Sequence, residues 1–123
     1  MKYLLDTHMF IWSIEGNSKL KPDAKIIIRD KSNIVFLSII SAWEITIKVM
    51  LKKLRLDIPI TKIFKNLEFE LLPIKLDHIL VLLQLPPIHK DPFDRMLVAQ
   101  AKSEKLKLLS NDPQVKQYFS QSK

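Results

Sequence analysis

Apolar residues in this chain gather into short runs separated by longer amphipathic stretches. The runs at about residues 2–5, 33–37, 69–72 and 106–109 have the length and composition of strands, and the segments between them carry helical spacing. Strands alternating with helices require crossover connections, so the expected class is α/β: a small parallel sheet of about four strands with helices on both faces. A helix starting near Ser41 sets Ile40, Trp43, Ile47, Met50 and Leu54 on one side, expected to be inner, against Glu44, Lys48, Lys52 and Arg55 on the other. Further helices are expected at about 60–67 and 76–84, followed by the turn-rich connector Leu85-Pro86-Pro87-Ile88-His89-Lys90-Asp91. Pro92 then opens a helix whose interior, Met96-Leu97-Val98-Ala99, is apolar nearly all round and is expected to be buried.

Composition narrows the choice of function. With 123 residues, 47% of them hydrophobic, the chain suits one domain over 1–123, its polar tail at about 119–123 expected to fray. A single glycine, Gly16, can write neither the dinucleotide fingerprint nor the Walker loop, which excludes those enzyme classes. The absence of cysteine excludes disulfides and thiolate metal sites, and His8, His78 and His89 are too scattered for a zinc motif. No run reaches the roughly 18 apolar residues of a membrane span, and Asp6 interrupts any signal-peptide core, so the expected location is cytoplasmic, without a membrane. The formal charge of +7 favours a polyanionic or acidic partner.

Against that basic background, Asp6, Glu44, Asp94 and Asp112 are placed where chemistry is expected. Asp6 closes Tyr3-Leu4-Leu5, Glu44 follows Ile34-Val35-Phe36-Leu37, Asp94 opens the run at Met96, and Asp112 follows Leu106-Lys107-Leu108-Leu109. Ligands in open α/β sheets bind at the carboxyl ends of the strands, so the four acids are expected to converge there and hold divalent cations through oxygen. Capping is the competing reading. Ser41-Ala42-Trp43-Glu44 has the form of a capping box, and Asp91-Pro92 and Asp112-Pro113 have the form of caps followed by proline at the first helical position. Lys48, Lys52 and Arg55 extend the Glu44 side into a stripe able to track phosphates, or simply a solvated face. Thr7, Ser38, Ser110 and Asn111 lie beside the acids, as phosphate or water ligands or as ordinary turn bonds.

From Met1 to about Tyr118 the chain resembles PIN-domain proteins, and in particular the VapC-type ribonuclease toxins. The resemblance rests on Leu4-Leu5-Asp6-Thr7-His8, Ser38 with Ser41-Ala42-Trp43-Glu44-Ile45, Lys48 with Lys53-Leu54, His89-Lys90-Asp91-Pro92-Phe93-Asp94-Arg95 running into Ala99-Gln100-Ala101, and Ser110-Asn111-Asp112 with Tyr118. It implies a three-layer α/β/α sandwich whose metal-binding and catalytic acids are Asp6, Glu44, Asp94 and Asp112. Thr7, Ser38, Lys48, Arg95, Ser110 and Asn111 become supporting or substrate-binding residues, and Asp91 a cap. The implied activity is endoribonuclease cleavage with Mg²⁺ or Mn²⁺, which lowers the pKa of a bound water and leaves no need for a histidine base. The implied partners are an RNA substrate, a cognate antitoxin and a second copy in a homodimer. Two departures stand out: relatives commonly carry glycine where this chain has Lys52, so the helix from Ser41 is expected to run on, and the family's closing strand is missing. Rival functions are a phosphoacceptor signalling domain, which lacks the expected second acid at Thr7 and an Asp at Leu37-Ser38, and a non-catalytic PIN-like module binding RNA or protein.

Overall fold

A computed structural model describes residues 1–120. In chain order the elements are β1 (Lys2–Leu5), α1 (Thr7–Glu15), α2 (Pro22–Arg29), β2 (Ile34–Ser38), α3 (Ile39–Met50), α4 (Ile60–Lys65), β3 (Glu70–Leu72), α5 (Leu76–Val81) with a 3₁₀ turn at Leu82–Gln84, α6 (Pro92–Glu104), β4 (Lys107–Leu109) and α7 (Pro113–Ser120). All strand pairs are parallel, in the order β3-β2-β1-β4, with Leu4 opposite Phe36 on one side and Leu108 on the other. The chain therefore reverses its direction of travel across the sheet at β1. Among the described residues, α7 follows β4 and no further strand is present.

Alternation along the strands builds two cores, one on each face of the sheet. Leu4, Phe36 and Leu108 pack with α6 and α7 residues such as Leu97, Val98, Val115 and Tyr118. Leu5, Val35, Leu37 and Leu109 pack with Phe10, Ile11 and Ile45 from α1 and α3. The arrangement is a three-layer α/β/α sandwich. In α6, Met96 through Ala101 are all buried, as the nearly all-round apolar pattern requires.

Helix α3 corrects the sequence reading in three respects. Ser38, not Ser41, is its N-cap, accepting from the Ile40 N–H at 3.0 Å, so the helix starts earlier and Ser41-Glu44 is not a capping box. Its inner face carries Ile40, Ser41, Glu44 and Ile45, while Trp43 and Met50 are 57% and 73% exposed. Trp43 and Met50 thus face out and Glu44 faces in toward Thr7, against expectation, while Ile40 stays buried and Leu54 packs against the core as expected. Finally, α3 stops at Met50 and Lys52 takes the left-handed conformation at φ 58° without the help of glycine. Lys53 and Leu54 N–H groups then return to the Lys48 carbonyl at 2.9 and 3.2 Å, and Lys52 and Arg55 lie beyond the helix, ending the expected stripe. In the tail, Phe119 and Ser120 belong to α7, and the rest of the expected frayed segment lies outside the described residues.

Candidate active site

The ends of β1 and β4 fix the first acid. The Asp6 N–H donates to the Leu109 carbonyl at 3.0 Å, carrying the ladder one residue past β1. Its Oδ1 accepts from the Met9 N–H at 2.8 Å and so caps α1. Burial pushes the Asp6 carboxyl up. Hydrogen bonds from Ser110 and Met9 and the nearby His8 oppose that shift, and the Asp112 charge adds to it. Ser110 also accepts the Asp112 N–H at 3.1 Å, so one hydroxyl joins the first acid to the last. Asn111, between them, is part-buried.

Glu44 reaches the same edge from the middle of α3 and is only 5% exposed. Thr7 Oγ1 lies 2.8 Å from Glu44 Oε1 and 2.9 Å from Ser41 Oγ. A hydroxyl has one proton, so Thr7 donates it to the carboxylate and accepts from Ser41. Lys48 Nζ stands 3.2 Å from Glu44 Oε2, one turn further on. The Thr7 hydroxyl and the Lys48 ammonium give the buried Glu44 carboxylate the partners its burial requires.

Asp94 and Asp112 meet across His89. Asp94 arrives from the first turn of α6 rather than from a strand end, and Asp91 Oδ1 caps that helix, accepting from Phe93 and Asp94 N–H at 2.8 and 3.3 Å. Asp112 Oδ1 accepts from the Gln114 N–H at 2.8 Å at the start of α7, and its Oδ2 faces His89 Nε2 at 3.0 Å. The same nitrogen is 3.1 Å from Asp94 Oδ2. Burial first, then the Asp91, Glu44 and Asp112 charges, push Asp94 up to about 6, with His89 opposing. Burial acts on Asp112 as well, but hydrogen bonds from Gln114, His89 and Val115 hold its carboxyl below the usual range.

Those electrostatic influences link the acids in a chain, Asp6 to Asp112, Asp112 to Asp94 and Asp94 to Glu44. Capping and site-building prove compatible: Asp112 caps with one oxygen and faces the group with the other. Oxygen atoms of Asp94 and Asp112 lie within 4.8 Å of each other and of His89 Nε2. Two carboxylates that close suit a hard divalent cation, and the Asp112 charge adds a little to the burial that raises the Asp94 carboxyl.

The supporting residues divide. Thr7, Lys48 and Ser110 contact acids. Ser38 does not serve a substrate: it is fully buried, with its hydroxyl 2.5 Å from Gln100 Oε1 and capping α3. Arg95 turns its guanidinium to the Pro86 and His89 carbonyls at 3.1 and 3.4 Å and to Tyr118 Oη at 3.0 Å. It clasps the connector before α6. Sequence reasoning gave His89 no role, since a metal removes the need for a histidine base, although it opens the motif His89-Lys90-Asp91-Pro92-Phe93-Asp94-Arg95.

The chain belongs to the PIN-domain family: the family model described as "PIN domain" matches residues 3–119. Among solved structures, the fold is similar to that of a chain in the crystal structure of VapBC2 from Rickettsia felis bound to a DNA fragment from their promoter. The TM-score is 0.70 at 16% identity, over 96% of this chain and 93% of that one. No curated protein matches the chain in sequence.

Proposed function

We propose that this PIN domain is a metal-dependent endoribonuclease and the toxin of a toxin–antitoxin pair. The observation that supports the reading is the close approach of Asp94 and Asp112, with Asp6 and Glu44 linked to them through their charges and Asp94 raised to about 6. Aspartates and glutamates at this spacing repel a phosphodiester unless a cation intervenes. Asp94 and Asp112, with Asp6 and Glu44 beside them, would hold Mg²⁺ or Mn²⁺. When bound, such an ion supplies Lewis-acid charge that acidifies water and offsets charge on the scissile phosphate. Thr7 fixes the direction of the Glu44 carboxylate. Lys48, about one-third exposed beside Glu44, offers a cation to the RNA backbone. Asn111, part-buried next to Asp112, would contact a nucleotide, and Arg95 would act by holding the connector that carries His89.

The neighbouring structure contains a VapBC complex on DNA. By analogy, a cognate antitoxin is the partner of this chain, alongside a second copy in a homodimer. No helix of the described residues is long and apolar enough to cross a membrane, which fits the cytoplasmic setting of such a pair. The test is cleavage of single-stranded RNA by antitoxin-free protein with Mg²⁺ or Mn²⁺, then with chelator, then with the metal restored. Activity that follows the metal supports the reading, and activity indifferent to chelator removes it.

A further inference from the structure

His89 Nε2, Asp94 Oδ2 and Asp112 Oδ2 form a compact three-residue group that has the composition of a metal-ligand set. The other side of the imidazole contradicts that role. His89 Nδ1 lies 3.1 Å from the Asp91 backbone nitrogen, whose N–H can only donate. Nδ1 must therefore accept, which puts the ring proton on Nε2. A metal-ligating histidine shows the reverse arrangement, with the remote nitrogen donating to a carbonyl or carboxylate.

We propose that His89 is a positioning residue: its Nε2–H bridges Asp94 and Asp112, and the Asp91 N–H holds the ring in that tautomer. The inference rests on reading the acids as a metal site, where such a donor sets the direction of two ligands without joining them. The backbone that carries the ring is held by two helices. The His89 N–H donates to Tyr118 Oη of α7 at 2.8 Å, the His89 carbonyl accepts from Arg95 of α6 at 3.4 Å, and Arg95 donates to the same Tyr118 oxygen at 3.0 Å. At only 14% side-chain exposure, His89 has little water to replace these partners. A donor shared between two carboxylates offsets part of their repulsion and keeps one oxygen of each pointing at the same spot, while their remaining lone pairs stay open to a cation. The donor set left to the ion is then all oxygen, which suits Mg²⁺ and Mn²⁺ better than Zn²⁺ or Cu²⁺.

The test is nitrogen-15 NMR of the imidazoles in the wild-type protein, without RNA, before and after Mg²⁺. The expected result is a proton on Nε2 and a bare Nδ1 in both states, with no nitrogen hyperfine coupling from His89 in the electron paramagnetic resonance of bound Mn²⁺. Mg²⁺ affinity by calorimetry should fall roughly 10–100-fold in His89→Ala, as for other residues that orient ligands. It should recover to within about threefold of wild type in His89→Gln, whose amide N–H replaces Nε2–H as a charge-assisted donor. A proton on Nδ1 in either state, or coupling of the Mn²⁺ spin to the His89 ring, overturns the inference. So does His89→Ala binding as tightly as wild type. Because the tautomer is read without substrate, a protein with the expected tautomer and no ribonuclease activity would lose the nuclease reading and keep this one.

Discussion

Thr7 Oγ1 donates to Glu44 Oε1 across 2.8 Å, joining the first turn of α1 to the middle of α3. The contact spans the end of the sheet and explains why α3 presents a polar side inward. Glu44 lies too far along α3 to cap it, and its burial is supported by Thr7, by Ser41 through Thr7, and by Lys48.

Replacing Thr7 by Val keeps the shape and removes the proton that Glu44 accepts. The fold should lose about 1–3 kcal/mol, the range for leaving a buried acceptor short of its donor. RNA cleavage should fall roughly 10–100-fold, as when other residues that orient metal ligands are lost. Ser41→Ala should produce smaller losses of both kinds, because Ser41 acts only through Thr7. Urea melts alongside cleavage rates check the pair, and wild-type activity in Thr7→Val would separate Glu44 placement from function.

Lys52 and Lys105 both hold φ 58°. Left-handed backbone costs a residue with a Cβ roughly 1–2 kcal/mol, whereas glycine adopts it freely. Lys52→Gly and Lys105→Gly should each raise stability by about 1 kcal/mol, less the entropy that glycine adds to the unfolded chain. Neither should alter cleavage. A drop in the urea midpoint of either variant would show that the lysine side chain stabilises the turn more than its backbone strains it.

Asp94 makes the metal-free protein sensitive to pH. Its folded carboxyl is raised to about 6 from an ordinary 3.8, mainly by burial and then by the neighbouring acids. Between those values the folded state binds more protons than the unfolded, so stability falls as pH rises. The contribution is fully present below about pH 4 and is lost as pH rises through about 6. Asp94→Asn should therefore melt higher than wild type at pH 7 in chelator, and the gap should shrink toward pH 4. Adding Mg²⁺ at pH 7 should raise the wild-type melting temperature and leave Asp94→Asn unmoved, since only the protein that binds the ion is stabilised by it. Parallel pH profiles for the two proteins would contradict this.

The strands were legible because each is a short apolar run, and with them the placement of Asp6 and Asp112, which need only follow β1 and β4. Asp94 was legible as a helix-start acid, though the helix rather than a strand delivers it. Helix α3 was misread because two serines three residues apart both suit an N-cap, and because amphipathic spacing assigns the apolar side to the interior. That assumption fails where Thr7 waits inside and Trp43 stands outside, edge-on to Phe93 at 5.5 Å. His89 was illegible for another reason: its contact with Asp112 depends on a connector shaped by Arg95 and Tyr118, and no local pattern records that clasp.

In the proposed function the four acids serve a cation, and the cation serves RNA cleavage. The most direct measurement compares wild type with Asp94→Asn on one single-stranded RNA in Mn²⁺, at matched folding and free of antitoxin. The account predicts cleavage by wild type that chelator abolishes and added Mn²⁺ restores, and at least a roughly hundredfold loss in Asp94→Asn, about 2.7 kcal/mol of transition-state stabilisation. Equal cleavage by the two proteins, or wild-type cleavage that survives chelator, would contradict it.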